Sequence, residues 1–150
     1  MHSYFNPEKG GKSVPLCSCL SGKEYDSCCG VIISGDRPAP TAEALMRSRY
    51  SAFATGEIDY LKQTLHPDHR ADFDPVGVKD WADNSEWLGL SIIKTHGGSE
   101  HDQEGTVEFI ALFRIEGVTY QHHELGEFKR LNGIWYYTDG KMILPDSEQP

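Results

Sequence analysis

The sequence predicts an α+β fold in which helices come first and pack on one face of a curved antiparallel sheet. Three observations predict it. Apolar residues recur with helical spacing after Thr41, they alternate along Gly105–Ile115, and Asn132-Gly133 is a dipeptide typical of tight hairpin turns. Helices followed by hairpin-connected strands favour one helical layer on one sheet. The 150 residues suffice for one such domain and a small appendage.

Three helices are predicted. The first spans Thr41–Gly56, because threonine is suited to begin a helix and glycine to end one. A shorter helix over Ile58–Leu65 ends before Pro67, and a third covers Lys79–Glu86. The apolar stripe of the first helix consists of Leu45, Met46, Tyr50, Ala52 and Phe53.

Four strands follow, over Leu88–Thr95, Gly105–Ile115, Val118–Arg130 and Ile134–Asp139. Two-residue turns at Glu116-Gly117 and Asn132-Gly133 fix the register of the last three strands. This register sets Phe109 opposite Glu124 and Gly126 opposite Asp139. A single bulge would exchange His122 for His123 on the inner face. That face is predicted to carry Val107, Phe109, Phe113, Tyr120, Phe128, Trp135 and Tyr137, with His122, Glu124 and Asp139 among them.

Charge and hydropathy exclude several function classes. The formal net charge of -9 is unfavourable for general nucleic-acid binding or for binding an anionic membrane, since both need clustered cations. No apolar run approaches the roughly 20 residues that span a bilayer. Residues Met1–Lys12 lack the apolar segment of a secretory signal, so a cytoplasmic location is expected.

All four cysteines lie between Cys17 and Cys29. Two disulfides, or inert buried thiols, are the alternative, but a disulfide framework would normally staple the whole chain, and the expected compartment is reducing. Four thiolates can instead hold one structural Zn(II) per chain, with no coordination position left for a substrate. Iron stays open, because the same ligands suit iron–sulfur chemistry. The predicted metal ligands are Cys17, Cys19, Cys28 and Cys29.

Composition divides the chain near residue 40. A flexible arm is predicted for residues 1–13, a cysteine knuckle for 14–33 and a linker for 34–40. The α+β domain would cover 41–141, and a loose polar tail 142–150.

The knuckle resembles the SEC-C motif, a small zinc knuckle best known at the C-terminus of the SecA translocation ATPase. The resemblance rests on the CxCx8CC spacing and on Ser21-Gly22-Lys23 followed by Tyr25. The usual motif has proline and glycine on either side of its second cysteine, where this chain has Ser18 and Leu20. All four ligand positions are intact, so the resemblance implies zinc.

A second resemblance covers nearly the whole chain from Cys17 to Gly140 and is to the YchJ family. It implies a SEC-C knuckle followed by a cone-shaped domain similar to nuclear transport factor 2, and it brings no established activity. The segments that carry it are Thr41–Phe53, Asp59-Tyr60-Leu61, His66-Pro67-Asp68, Trp87–Leu90, Gly105–Phe109, His123-Glu124, Phe128 and Trp135–Gly140.

Arg49 lies within the apolar stripe of the first helix, whereas Arg47 points away from it. A buried guanidinium keeps its charge, so Arg49 is predicted to pair with Glu124 or Asp139; the alternative is that it reaches out to solvent. Polar and aromatic residues around it define a predicted pocket. Its members are Arg49, Tyr50, Trp87, Phe109, His122, His123, Glu124, Phe128, Trp135, Tyr137 and Asp139.

Two functions follow from these features. The first is a zinc-binding adaptor whose knuckle presents a surface to a protein partner, while the cone domain forms a homodimer or binds a small ligand. The alternative is a small isomerase, dehydratase or cyclase that uses Glu124, Asp139 or a histidine as its base. The first is preferred, because no pair of carboxylates and no nucleophile–base pair can be placed without assuming a strand register. The sequence also contains no phosphate loop, dinucleotide fingerprint or HExxH motif, and no catalytic residue is assigned.

Overall fold

A computed structural model describes residues 15–144, so the predicted arm and residues 145–150 of the predicted tail lie outside the described residues. The helices are α1 (Cys29–Ile33), α2 (Ala42–Thr55), α3 (Ile58–Gln63) and α4 (Pro75–Asn84), and short 3-10 turns cover Tyr25–Ser27 and Pro67–Asp72. The strands are β1 (Glu86–Gly97), β2 (Glu104–Ile115), β3 (Val118–Leu131) and β4 (Ile134–Met142). The predicted order of helices and then strands is confirmed.

Local capping chemistry explains the helix boundaries. The Thr41 side chain accepts a hydrogen bond from the Ala44 amide at 3.0 Å, and Gly56 ends α2 with a φ of +79°. Helix α4 begins earlier than predicted, because Pro75 occupies its first position and the Asp74 side chain accepts from the Gly77 amide.

The four strands form one antiparallel sheet in the order β1-β2-β3-β4. Both predicted turns are tight, with positive φ at Glu116-Gly117 and Asn132-Gly133. The register between β2 and β3 is as predicted, and it sets Phe109 opposite Glu124. The inner face of the sheet therefore carries Glu124 and, two residues before it, His122.

The predicted pairing of Gly126 with Asp139 is wrong. A bulge in β4 sets Gly126 opposite Gly140 and Glu127 opposite Asp139. Thr138 is the extra residue, and its side chain is buried while Asp139 is exposed. One extra residue reverses the direction of every side chain after it, so Asp139 leaves the inner face.

Tyr120 lies on the predicted inner face, opposite Phe113, but outside the buried core. Its ring stacks on Phe113 with centroids 5.5 Å apart, yet the residue is 46% exposed beside the hairpin turn.

Helix α2 packs across the inner face of the sheet and forms one core with it. The three cysteines Cys17, Cys19 and Cys29 belong to the same buried cluster, so the knuckle and the domain share their apolar interior. The other buried members are Ala42, Leu45, Met46, Tyr50, Leu90, Val107, Phe109, Ala111, Phe128 and Trp135.

Candidate metal centre and aromatic cavity

A miniature hairpin positions the first pair of cysteines. Leu16 forms an antiparallel bridge with Glu24, and the Cys17 amide donates to the Lys23 carbonyl at 2.8 Å. Gly22 turns the chain with a φ of +88°, a conformation that glycine adopts without steric cost. The following 3-10 turn and the start of α1 return Cys28 and Cys29 to the first pair.

The four sulfur atoms converge. All lie within 4.8 Å of one another, with Cys19 and Cys28 at 3.7 Å and Cys28 and Cys29 at 4.0 Å. Sulfurs about 2.3 Å from a tetrahedral metal ion stand about 3.8 Å apart, whereas a disulfide requires about 2.05 Å. All four cysteines are free thiols, three of them buried, so the donor set fits a metal ion and not two disulfides.

Hydrogen bonds among the thiols move the pKa values of two of these cysteines in opposite directions. Bonds from Cys19 and Cys29 hold the pKa of Cys17 far below its ordinary value, and bonds with Cys17 and Cys19 raise the pKa of Cys29. A bound cation would replace the shared protons.

Helix α2 braces the knuckle through two polar side chains that were not among the predicted site residues. Ser51 is fully buried, with its Oγ 2.9 Å from Ser18 Oγ and 3.5 Å from Cys17 Sγ. The Arg47 guanidinium donates to the Cys19 carbonyl at 2.9 Å and pairs with Glu43. Arg47 therefore contacts the knuckle, although it was expected to point away. One feature of the sequence could have indicated this contact. Arg47 and Ser51 are four residues apart, so they lie on the same face of α2.

Leu20 has a φ of +64°, in the region that favours glycine. The usual SEC-C motif has glycine at this position. Leu20 therefore adopts the backbone conformation for which the motif normally uses a glycine. The Leu20 side chain lies over Gly89 of β1, at a place that a Cβ on Gly89 would occupy.

A second site is an aromatic cavity of about 190 Å³ between α2, α4 and the inner face of the sheet. The structure brings most of the predicted pocket residues together around it: Arg49, Tyr50, Trp87, Phe109, His122, Glu124 and Tyr137. The predicted pocket did not include Met46, Phe53, Trp81 and Ala111, which also line the cavity.

Four predicted pocket residues lie elsewhere. Phe128 and Trp135 are buried in the core, and Asp139 is exposed beyond the bulge. His123 points to the opposite face of the sheet, where its Nε2 lies 2.8 Å from Glu108 Oε2. Adjacent strand residues point to opposite faces, so His122 and His123 do not share a site.

Polar groups meet at one end of the aromatic cavity. Glu124 is buried, with His122 Nε2 2.7 Å from its Oε1, and the Tyr137 hydroxyl donates to its Oε2 at 2.6 Å. Burial, followed by the charge of Glu124, raises the pKa of Tyr137. Gly140 leaves room for this pair, because a Cβ there would collide with the carboxylate and the phenol. This chain of contacts holds Glu124 in one orientation.

The predicted ion pair of Arg49 is wrong, although the residue is buried at 8% exposure. Its guanidinium donates to the Leu61 carbonyl at 2.8 Å and to the Thr64 hydroxyl. It also lies 4.7 Å from the centroid of the Tyr137 ring, so a carbonyl, a hydroxyl and a ring surround this charge in place of a carboxylate. Burial lowers the pKa of Arg49, and the nearby Tyr137, Tyr60 and Glu124 oppose this effect.

Within residues 15–144, no helix has both the length and the apolar character that crossing a bilayer requires.

Comparisons with known proteins agree with this architecture. Residues 41–140 match the family model described as the middle, NTF2-like domain of YchJ. A UPF0225 protein of Geobacter sulfurreducens is 52% identical over 130 residues, which are 87% of this chain and 81% of that protein.

Two solved structures share the fold. The solution structure of RPA3114, a SEC-C motif containing protein from Rhodopseudomonas palustris, aligns with a TM-score of 0.78 and 40% identity over 85% of this chain and 98% of that one. The crystal structure of a SEC-C motif containing protein from Psychrobacter arcticus aligns with a TM-score of 0.72 and 27% identity, over 86% and 83%.

Proposed function

The chain belongs to the YchJ family, and from that premise we propose that it is a zinc-binding adaptor whose knuckle docks a protein partner. The observation that carries the proposal is the convergence of the sulfurs of Cys17, Cys19, Cys28 and Cys29 within 4.8 Å of one another. Four thiolates with tetrahedral spacing are the donor set of structural zinc sites, and they leave no position for a substrate. The metal would therefore hold the hairpin and α1 together.

Metal analysis of purified protein tests this step. We expect about one Zn(II) per chain in the wild type and a large loss in Cys19→Ser. Visible absorption with bound iron would assign an iron site instead, and metal-free protein with free thiols would overturn the metal-binding function.

The surface that we assign to the partner is the cleft between the knuckle and the start of α2. Its volume is about 470 Å³, and its lining includes the exposed cations Lys23 and Arg37 together with the half-buried Arg47. Glu43 also lines the cleft and pairs with Arg47, so Lys23 and Arg37 are the two cations suited to an acidic segment of another protein. The exposed Leu16 and Leu20 add apolar area to the knuckle.

Charge reversal in the cleft tests the partner. Lys23→Glu with Arg37→Glu is expected to abolish co-purification of the protein that the zinc-loaded wild type retains. The matched control is Lys62→Glu with Lys129→Glu, which makes the same charge change at exposed positions outside the cleft. Equal losses in both variants would contradict the assignment of the surface.

A small acid–base enzyme is the second candidate. The observation that favours it is the location of His122 and Glu124 side by side at the wall of the aromatic cavity. The homodimer and the cytoplasmic location inferred from the sequence stay predictions, and sedimentation of the zinc-loaded protein tests the first of them.

A further inference from the structure

The aromatic cavity has features of a binding site that the metal-binding function does not use. Its volume of about 190 Å³ is below the roughly 300–1,000 Å³ typical of drug-sized ligands. Since a water molecule occupies about 30 Å³ of liquid, the cavity has space for roughly six waters or one substituted ring.

The walls offer flat apolar surfaces. Phe53, Trp81 and Trp87 pack around one another with ring centroids 5.0 to 5.5 Å apart. Trp81 and Trp87 are only half-buried, which leaves part of these rings accessible from the cavity. Such surfaces favour another ring, which can pack in an edge-on or offset arrangement.

Two buried charges of opposite sign lie at the polar end of the cavity. Glu124 and Arg49 are 7% and 8% exposed, and Tyr137 connects them, with its hydroxyl on the carboxylate and its ring beneath the guanidinium. Because these two buried charges balance each other, a ligand with a net charge would add an unbalanced charge to a desolvated site. The cavity therefore favours an uncharged ligand.

His122 supplies one polar contact that is still available. Its Nε2 is engaged by Glu124, and no hydrogen bond of its Nδ1 is found among residues 15–144. The ring lies 5.8 Å from Trp81 and 6.0 Å from Phe109, between centroids, so it belongs to the aromatic wall. A hydroxyl group both donates and accepts, so it can pair with Nδ1 in either protonation state of the ring.

From these features we propose that the aromatic cavity binds a small, uncharged ring compound that carries a hydroxyl group. The ring of the ligand packs against Phe53, Trp81 and Trp87, and its hydroxyl pairs with His122. Glu124 holds the imidazole in place, and Tyr137 holds Glu124. The inference goes beyond the metal-binding function and holds whether or not the bound molecule is then transformed.

Titration of the zinc-loaded full chain, followed by two-dimensional amide and indole NMR, tests the proposal. The probes are phenol, toluene, benzoate and benzylammonium. Phenol is expected to give saturable shifts at residues 122–124 and at the Trp81 and Trp87 indoles, and to bind roughly fivefold more tightly than toluene. Benzoate and benzylammonium are expected to bind at least roughly tenfold more weakly than phenol.

The two adjacent histidines provide a matched pair of variants. His122→Phe should keep toluene binding and lose the preference for phenol, whereas His123→Phe, on the other face of the sheet, should leave both unchanged. Equal binding of phenol and toluene by the wild type would overturn the proposal, as would tightest binding of a charged probe or the absence of saturable shifts. These wild-type outcomes do not depend on whether the His122 variant folds. Binding without turnover would exclude the enzyme candidate for that probe and leave the inference intact.

Discussion

At the position of Arg49 the protein buries a guanidinium group against a ring, a backbone carbonyl and a hydroxyl. This arrangement has a different energetic consequence from a buried ion pair. Breaking a pair leaves the second charge unpaired and costs roughly 3–5 kcal/mol. Here Glu124 keeps His122 and Tyr137 as hydrogen-bond partners when Arg49 is replaced.

Arg49→Met is therefore expected to lower the free energy of unfolding by about 1–3 kcal/mol, because the Leu61 carbonyl and the Thr64 hydroxyl lose a buried donor. Urea denaturation of the zinc-loaded protein measures the change. Arg37→Met, at an exposed position, should change the midpoint little. A loss as large as that of a broken ion pair would show that Glu124 depends on the charge of Arg49 across the Tyr137 ring.

Buried tyrosines predict how stability depends on alkaline pH. Burial raises the pKa of Tyr50 from its ordinary 10.0 to about 12, and burial together with Glu124 raises the pKa of Tyr137. Both phenols therefore bind their protons more tightly in the folded chain. Their contribution to stability is complete below pH 10 and is lost as the pH rises from 10 through the raised values.

Tyr137→Phe is accordingly expected to flatten the fall in unfolding free energy between pH 10 and 12, whatever it does to stability at neutral pH. The measurement is the slope of the urea midpoint against pH. Tyr120→Phe is the control, since Tyr120 is 46% exposed, and should leave the slope unchanged. Identical slopes for wild type and Tyr137→Phe would contradict the prediction.

Among the strands, local signals determine what the sequence predicts correctly. The β2–β3 register follows from a two-residue turn and from alternation, so the place of Glu124 opposite Phe109 was predictable. The bulge at Thr138 was not. The Tyr137 backbone exchanges hydrogen bonds with Thr64 and His66, some 70 residues earlier in the chain, and this pairing accompanies the shift in β4. Asp139 was therefore misplaced, because a bulge of this kind has no pattern in neighbouring residues.

The contacts of α2 with the knuckle could not be predicted for the same reason, because they join residues that are far apart in the chain. Arg47 and Ser51 look like ordinary helix residues until the hairpin around Cys17 and Cys19 packs on them. The four cysteines of the predicted metal site, in contrast, lie within one short segment, and their spacing alone predicts that they form a site.

Arg47→Met is expected to weaken this docking. The Cys19 carbonyl loses its donor, so zinc release to a competing chelator should be roughly threefold to tenfold faster. Stopped-flow absorbance with a metallochromic chelator measures the rate. Lys62→Met, which removes a cation from the exposed side of α3, should match the wild type. An unchanged release rate in Arg47→Met would mean that the knuckle holds its metal independently of α2.

In the whole molecule, α2 is the wall shared by the two sites. Arg47 and Ser51 face the knuckle, whereas Met46, Arg49 and Tyr50 face the aromatic cavity. The knuckle also reaches the cavity by a second route. Leu20 lies over Gly89, whose backbone hydrogen-bonds the Tyr50 phenol, and Tyr50 contacts Trp87 edge-on at 5.8 Å between centroids.

Removing the metal is therefore expected to change the structure around the aromatic cavity. A structural metal site in a small hairpin contributes its binding energy to folding, so chelation should disorder the knuckle and withdraw Leu20 from Gly89. The Trp87 indole, which donates to the Ala82 carbonyl at 3.2 Å, is the reporter. We expect its NMR resonance and the Tyr50 amide to shift on addition of a chelator, while the sheet stays folded.

The amides of the Asn132-Gly133 turn serve as the internal control, because this turn lies at the end of the β3–β4 hairpin and lines neither the cleft nor the aromatic cavity. If the knuckle amides change and Trp87 does not, the two sites are independent. Neither α2 nor the Leu20–Gly89 contact would then transmit the change from the knuckle to the cavity. If Trp87 shifts in the wild type and much less in Leu20→Gly, the connection runs through the Leu20–Gly89 contact. That substitution also removes the unfavourable left-handed conformation of Leu20, so it should not weaken the turn itself.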